Sequence, residues 1–182
     1  MSRGDNLIGV PITYKGINMR SKLESKVATV LDILNIKWEY EPKLFLLSNG
    51  IYYKPDFYLT ELKMWIEVKG LILEHNKKIS TLFVQDNKTE LILISNENWL
   101  WFSTKDFDDG ICIDDNVQIG FCSKCNKYFF CSNLGSYHCR NCNTHEGDHD
   151  LIRSKFNKEI DFYNINSIKE IKEIYGNCIS EL

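Results

Sequence analysis

Lys54-Pro55-Asp56-Phe57-Tyr58-Leu59, followed closely by Met64-Trp65-Ile66-Glu67-Val68-Lys69-Gly70, is the stretch on which the fold turns. Both segments are rich in aromatic and β-branched residues, which pack well on a pleated surface, and Gly70 closes the second. Strand side chains alternate faces, so Glu67 and Lys69 share one face while Ile66 and Val68 point into the core. Pro55 removes a ladder donor beside Asp56, which suits a strand that bends or lies near an edge. A Glu-Lys pair flanking one valine in an otherwise apolar strand is poor core design unless something polar sits above it. An incidental pair on a solvated face is the competing reading. Asp56 one strand back favours the first, because a carboxylate facing a carboxylate and a lysine on the next strand can hold Mg²⁺ beside a phosphodiester.

Upstream, Leu23, Val27, Val30, Leu31 and Leu34 recur at helical spacing and predict a helix over residues 18–35, with Asn18 as N-cap and Asn35 as stop. Glu24 sits beside the apolar stripe, with Arg20 one turn earlier on the same side. An ordinary surface carboxylate is the alternative for Glu24. Residues 37–41 read as a first strand. Residues 44–47 and 51–59 read as a hairpin about Asn49-Gly50, a pair suited to a type I′ turn. With the Glu67 strand the order is αβββ. A crossover helix is predicted over residues 71–84 and a doubly covered strand over 90–95, parallel to the Glu67 strand. His75 falls in that helix as a solvent-facing or capping residue. Trp99, Leu100, Trp101 and Phe102 are expected to pack in the core or against a second module.

This order, and the pattern Pro-Asp, ten residues, Glu-x-Lys, resemble the PD-(D/E)XK nuclease superfamily. Met19-Arg20-Ser21-Lys22-Leu23-Glu24, Trp38-Glu39-Tyr40-Glu41-Pro42, Pro55-Asp56-Phe57 and Glu67-Val68-Lys69-Gly70 resemble small nucleases of phages and mobile elements. The Ser-x-Leu-Glu step is also similar to the endonuclease subunit of Tn7-type transposases. The resemblance covers residues 17–95. It implies a restriction-endonuclease-like αβββαβ core with a mixed sheet, and a DNA endonuclease that hydrolyses phosphodiesters by metal-assisted in-line attack of water. It also implies that Asp56, Glu67 and the Val68 carbonyl ligate Mg²⁺ or Mn²⁺. Lys69 would orient the attacking water and stabilise phosphate charge, and Glu24 would complete the site or help bind a second metal. Glu41 is a secondary candidate of uncertain register.

A second site is built from sulfur. Cys122-Ser-Lys-Cys125 and Cys139-Arg-Asn-Cys142, thirteen residues apart, match a closed four-cysteine structural Zn²⁺ site in a zinc ribbon. Reduced structural cysteines or disulfides are the alternative. Residues 127–130 and 135–137 read as the ribbon's strands and turn. Cys131, His138, His145 and His149 are competing ligands, with Cys131 better read as a small packed hydrophobe. Residues 144–150 read first as a linker. Cys112 and Cys178 carry no motif.

With 182 residues, the chain has room for a nuclease-like α/β core over residues 1–116 and a small four-cysteine zinc-ribbon module over 117–150. Residues 151–182 form a C-terminal helical segment docked on the body, holding a basic amphipathic stretch at 151–156 and a helix at 167–175. Ordinary hydrophobic and charged fractions, no membrane-length apolar run and no signal-like N-terminus lead to the expectation of a cytoplasmic protein. Seven cysteines in such a chain favour metal over disulfides. The net charge of −3 weighs against strong nonspecific DNA binding. The expected partner is a DNA substrate, with a homodimer suited to cutting both strands and no membrane. The competing class is a catalytically silent nucleic-acid-binding or adaptor protein on the same fold.

Overall fold

A computed structural model describes residues 11–104, 110–132, 138–144 and 160–164. Among these residues the elements follow in chain order: β1 (Ile12–Tyr14), β2 (Ile17–Met19), α1 (Lys22–Ile33), β3 (Trp38–Tyr40), β4 (Phe45–Leu46), β5 (Tyr52–Tyr53), β6 (Phe57–Leu59), β7 (Met64–Val68), α2 (Glu74–Asn87), β8 (Leu91–Ile94), β9 (Trp99–Ser103), β10 (Cys112–Asp114), β11 (Val117–Cys122), β12 (Lys127–Ser132) and β13 (Ile160–Asn164). The architecture is mixed α/β. Its main sheet has six strands in the order β10-β9-β8-β7-β6-β3. As expected from the apolar run at 90–95, β8 lies parallel to β7. The other pairings in that sheet are antiparallel.

Alternation along β7 splits the core in two. Met64, Ile66 and Val68 join Leu23, Val27, Leu31 and other α1 residues on one side. Trp65 joins Phe83 and Val84 of α2, with Leu91, Leu93 and Phe102, on the other. Each large apolar side chain buried this fully contributes about 1.5–3 kcal/mol against exposure. Both faces of β7 are therefore covered, and Glu67 is carried into the layer between sheet and α2. The first core continues into β11 and β12 through Val117, Ile119, Phe129 and Phe130. Trp99, Trp101 and Phe102 are buried, with Trp99 6.3 Å from the Phe130 ring.

Several local predictions shift. The first helix begins at Lys22, not near residue 18, because Ser21 caps it: the Glu24 amide donates to Ser21 Oγ. Asn18 instead lies in β2, paired with β1. Lys15 and Gly16, at φ 48° and 81°, join those strands in the two-residue, doubly positive turn expected at Asn49-Gly50. At the latter, Gly50 alone has positive φ, at 81°. A three-residue loop there closes through Leu47 N–H to the Ile51 carbonyl at 2.9 Å. Pro55 divides the long second strand into β5, paired with β4, and β6, paired with β3 and β7. The crossover helix runs three residues beyond its predicted end, to Asn87.

The small sheet has the order β12-β11-β13. Its third strand comes from the segment expected to be helical, since β13 pairs antiparallel with β11. Gly120 leaves room for the buried Phe129 ring, which a Cβ there would meet at 2.5 Å and force to shift. The stretch at 151–156, the helix at 167–175, the turn at 135–137, His145, His149 and Cys178 lie outside the described residues.

Candidate active site and four-cysteine cluster

The register of β6 and β7 builds the first site. Phe57 faces Ile66, so one step outward Asp56 faces Glu67 across the same pair of strands. Asp56 is fully buried and Glu67 is 4 % exposed. Asp56 Oδ2 accepts the Val68 N–H at 2.7 Å, which locks one carboxylate onto the strand that carries the other. Lys69 lies just past β7, fixed by its N–H to the Ile94 carbonyl at 2.8 Å, and its ammonium pairs with Glu67. Glu67 Oε2 and the Tyr53 hydroxyl are both buried without a well-formed hydrogen bond. A cleft of about 400 Å³ opens over this floor, lined by Arg20, Tyr53, Lys54, Glu67, Lys69 and Ser80 among others.

Arg20 supplies the second layer. Its guanidinium pairs with Asp56, and with Glu41 Oε1 at 2.8 Å, while Lys54 pairs with the other Glu41 oxygen. Glu41 adopts φ 45°, in the left-handed region, with its N–H on the Asp56 carbonyl at 2.8 Å. A non-glycine residue there costs on the order of 1–3 kcal/mol, and this one sits where it holds two cations over the cleft. Arg20 and Lys54 give sequence reading no periodic signal to follow, because their partners come from separate loops and strands.

Glu24 is brought near but not into the pair. Its Oε1 accepts the Ser21 hydroxyl at 2.7 Å, and its Oε2 accepts the Arg20 N–H at 3.0 Å and the Tyr40 hydroxyl at 2.6 Å. Ser21-x-x-Glu24 is thus a variant capping box, a signal legible in the sequence. Among the described residues, Glu24, Asp56 and Glu67 do not converge within 4.8 Å, and the one group of metal-ligating atoms that does is made of sulfur. His75 is exposed on α2 beside Asn76.

Burial, then neighbouring charge, sets the titration of this floor. Burial pushes Asp56 up to about 8, with Glu67 adding to the rise and Lys69 opposing it. Burial also raises Glu67, against the pull of Lys69. Burial works against the Lys69 ammonium, but Glu67 and Asp56 outweigh it and hold its pKa above the ordinary value. Burial raises Tyr53 well above its usual range, and Glu67 reinforces that. Asp56, Glu67, Glu41 and Glu24 stand against Arg20, Lys54 and Lys69. The cluster therefore carries one net negative charge when all are ionised, and a divalent cation would make it positive toward a phosphate.

The second cluster joins Cys122, Cys125, Cys139 and Cys142, whose sulfurs lie within 4.8 Å of one another. Cys122 and Cys142 are 3.8 Å apart, and Cys125 and Cys139 3.5 Å. Tetrahedral ligation at a Zn–S bond of ~2.3 Å requires sulfurs ~3.8 Å apart, so the four can hold a metal ion such as zinc. They are thiols rather than disulfides. Each knuckle ends in an asparagine at φ 57°, Asn126 or Asn143, whose N–H returns to the carbonyl of the first cysteine at 2.7 Å. Cys131 is buried with its sulfur 3.8 Å from the Gln118 carbonyl, as a packed side chain outside the four. His138 also stands outside the group, and Cys112 is buried in β10.

Comparison with protein-family models, with curated proteins and with solved structures returns no match. Among the described residues, no helix is long and apolar enough to cross a membrane.

Proposed function

We propose that the chain is a metal-dependent DNA endonuclease of the PD-(D/E)XK type, with zinc on the four sulfurs as a structural ion. The observation that carries the reading is the facing pair Asp56 and Glu67, both buried, with Lys69 on Glu67 at the floor of a cleft. The order α1-β3-β6-β7-α2-β8, with β7 and β8 parallel, supports it. The donors fit Mg²⁺ or Mn²⁺. Asp56, Glu67 and the Val68 carbonyl are hard oxygens, and Glu67 Oε2 is a buried acceptor without a hydrogen bond. When bound, such an ion polarises phosphoryl oxygens and acidifies a coordinated water.

The chain's own residues do the rest. Lys69, anchored on Glu67, presents an ammonium to the cleft that orients the attacking water and offsets charge on the phosphate. The Val68 N–H holds Asp56 in place. Glu24, with its oxygens engaged by Ser21, Arg20 and Tyr40, braces the Arg20 backbone rather than supplying a ligand. Tyr53 and the α2 residues Asn76, Ile79 and Ser80 line the cleft on the Glu67 side.

Purified protein is expected to nick or linearise supercoiled plasmid in Mg²⁺ or Mn²⁺ but not in EDTA. Lys69→Ala should lose roughly 10²–10⁴-fold in rate, the range for a positioned proton-transfer or charge-stabilising group. Binding of plasmid and branched DNA with no cutting of either would instead make the protein an adaptor. Cutting by Lys69→Ala at the wild-type rate would break the site assignment.

Asp56 gives a pH test with a definite sign. Its raised pKa keeps it protonated below about 8, so an ion entering there displaces a proton. Mn²⁺ affinity is expected to fall by roughly tenfold per pH unit on acidification below that value. Mn²⁺ titrations followed by electron paramagnetic resonance read this directly. An affinity flat across neutral pH in wild type and unchanged in Asp56→Ala would exclude Asp56 as a ligand.

A further inference from the structure

Arg20 occupies a position that the facing-carboxylate site leaves unexplained. A single guanidinium nitrogen touches both Asp56 and Glu41, while more than half of the side chain, 58 %, remains open to solvent. The backbone beneath it is fixed: its N–H is shared between Glu24 Oε2 at 3.0 Å and the Tyr40 hydroxyl at 3.2 Å. The side chain is thus a long arm on a rigid base, with one carboxylate inside the site and another at its rim. Glu41 also holds Lys54, so two cations meet on one rim carboxylate over the cleft.

Resting on the reading of Asp56 and Glu67 as a divalent-cation site, we propose that Arg20 is an exchangeable counter-ion that becomes the phosphate clamp. Its guanidinium occupies an Asp56 oxygen when no metal is bound. A divalent cation on Asp56 takes over that oxygen and repels the guanidinium, which stays tethered to Glu41 and turns its free donors to the cleft. A guanidinium presents a planar fork matched to phosphate oxygens, and a lysine at this position would not. The arrangement couples the two ligands: the metal exposes the clamp, and the bound phosphate keeps the clamp away from Asp56. Lys54, on the other oxygen of Glu41, stands beside the same phosphate path.

The test uses the full chain and Mn²⁺ alone, followed by DNA. Arg20→Met is expected to bind Mn²⁺ roughly tenfold tighter than wild type without DNA, because a competing like charge at a half-exposed position is gone. The same variant should bind DNA more weakly in Ca²⁺ and cut it more slowly at saturating metal. Arg20→Lys keeps the charge, so its Mn²⁺ affinity should stay near wild type while cutting is still impaired. Asp56→Ala should abolish the Mn²⁺ site in both backgrounds. If Arg20→Met binds Mn²⁺ equally well or less well while wild-type binding still depends on Asp56, Arg20 is a structural brace and the exchange is wrong. If wild type binds no Mn²⁺ through Asp56, the metal-site reading fails first and takes the clamp with it.

Discussion

If the chain is the metal-dependent nuclease proposed above, Asp56→Asn is expected to make the metal-free protein more stable at alkaline pH while sharply lowering plasmid cleavage. Asp56 and Glu67 are buried opposite one another, and burial together with Glu67 lifts Asp56 to about 8. An unfolded chain holds an aspartate near ~3.9. Between these values the folded state keeps a proton that the unfolded state has lost, so folding stability falls as pH rises through that window. Asparagine has no such titration, and its side-chain oxygen can still accept the Val68 N–H. The wild type should therefore lose stability relative to Asp56→Asn from weakly acid to alkaline pH, by on the order of 1–3 kcal/mol. Saturating Mg²⁺ should reverse the order by adding about 2.7 kcal/mol at one hundred times Kd to the wild type alone. Cleavage should fall by roughly 10³-fold or more, since charge stabilisation at such a centre is worth several kcal/mol. Denaturant titrations across pH, with and without Mg²⁺, and plasmid cleavage on the same preparations measure both halves. A variant that cuts within tenfold of wild type would remove Asp56 from the centre, and one whose stability relative to wild type does not change with pH would show that Asp56 is ionised in the fold.

The parts of this site that were legible in the sequence are those carried by periodicity. Alternation put Glu67 and Lys69 together, and the Pro55 break placed Asp56 just outside β6, where the register sets it opposite Glu67. The four cysteines were legible because a knuckle is a local turn, and both knuckles close on themselves within a few residues. Arg20 was not legible as a partner of Asp56. That contact joins residues thirty-six apart through a loop that has no period. The start of α1 was misplaced for a different reason: Ser21 and Glu24 carry a capping signal that competes with Asn18, and only one of the two can end the turn. The strand β13 was missed because its pairing edge is set by β11, far back along the chain, rather than by its own pattern.

The four-cysteine cluster is where loss should do the most damage to the fold, and the reason lies between its ligands. Arg140 stands between Cys139 and Cys142, with Nη2 3.0 Å from Glu90 Oε1 and Nη1 on the other oxygen. Its guanidinium lies 4.8 Å from the centre of the Trp101 ring. Glu90 is 1 % exposed, and its carbonyl accepts the Trp65 N–H at 2.9 Å, at the point where β8 joins β7. The second knuckle is therefore pinned to the main sheet by a bidentate ion pair between the half-buried Arg140 and the buried Glu90. Releasing the knuckle withdraws Arg140 and leaves the buried Glu90 carboxylate without its bidentate cation, with the Ser103 hydroxyl 3.4 Å from Oε1 still beside it, which costs up to about 3–5 kcal/mol. Cys139→Ser, or removal of any metal held by the four sulfurs with a strong chelator, is thus expected to lower Tm by roughly 6–20 °C, given about 2–4 °C per kcal/mol at this chain length. Arg140→Met should reproduce most of that loss with zinc retained. Adding Glu90→Leu to Arg140→Met should recover most of it, because an apolar pair replaces a half-broken ionic one. Calorimetry with zinc quantified on each variant separates the two contributions. A Cys139→Ser protein that melts within about 2 °C of wild type, less than 1 kcal/mol of stability, would show that the sulfur cluster is an appendage and that the sheet stands without it.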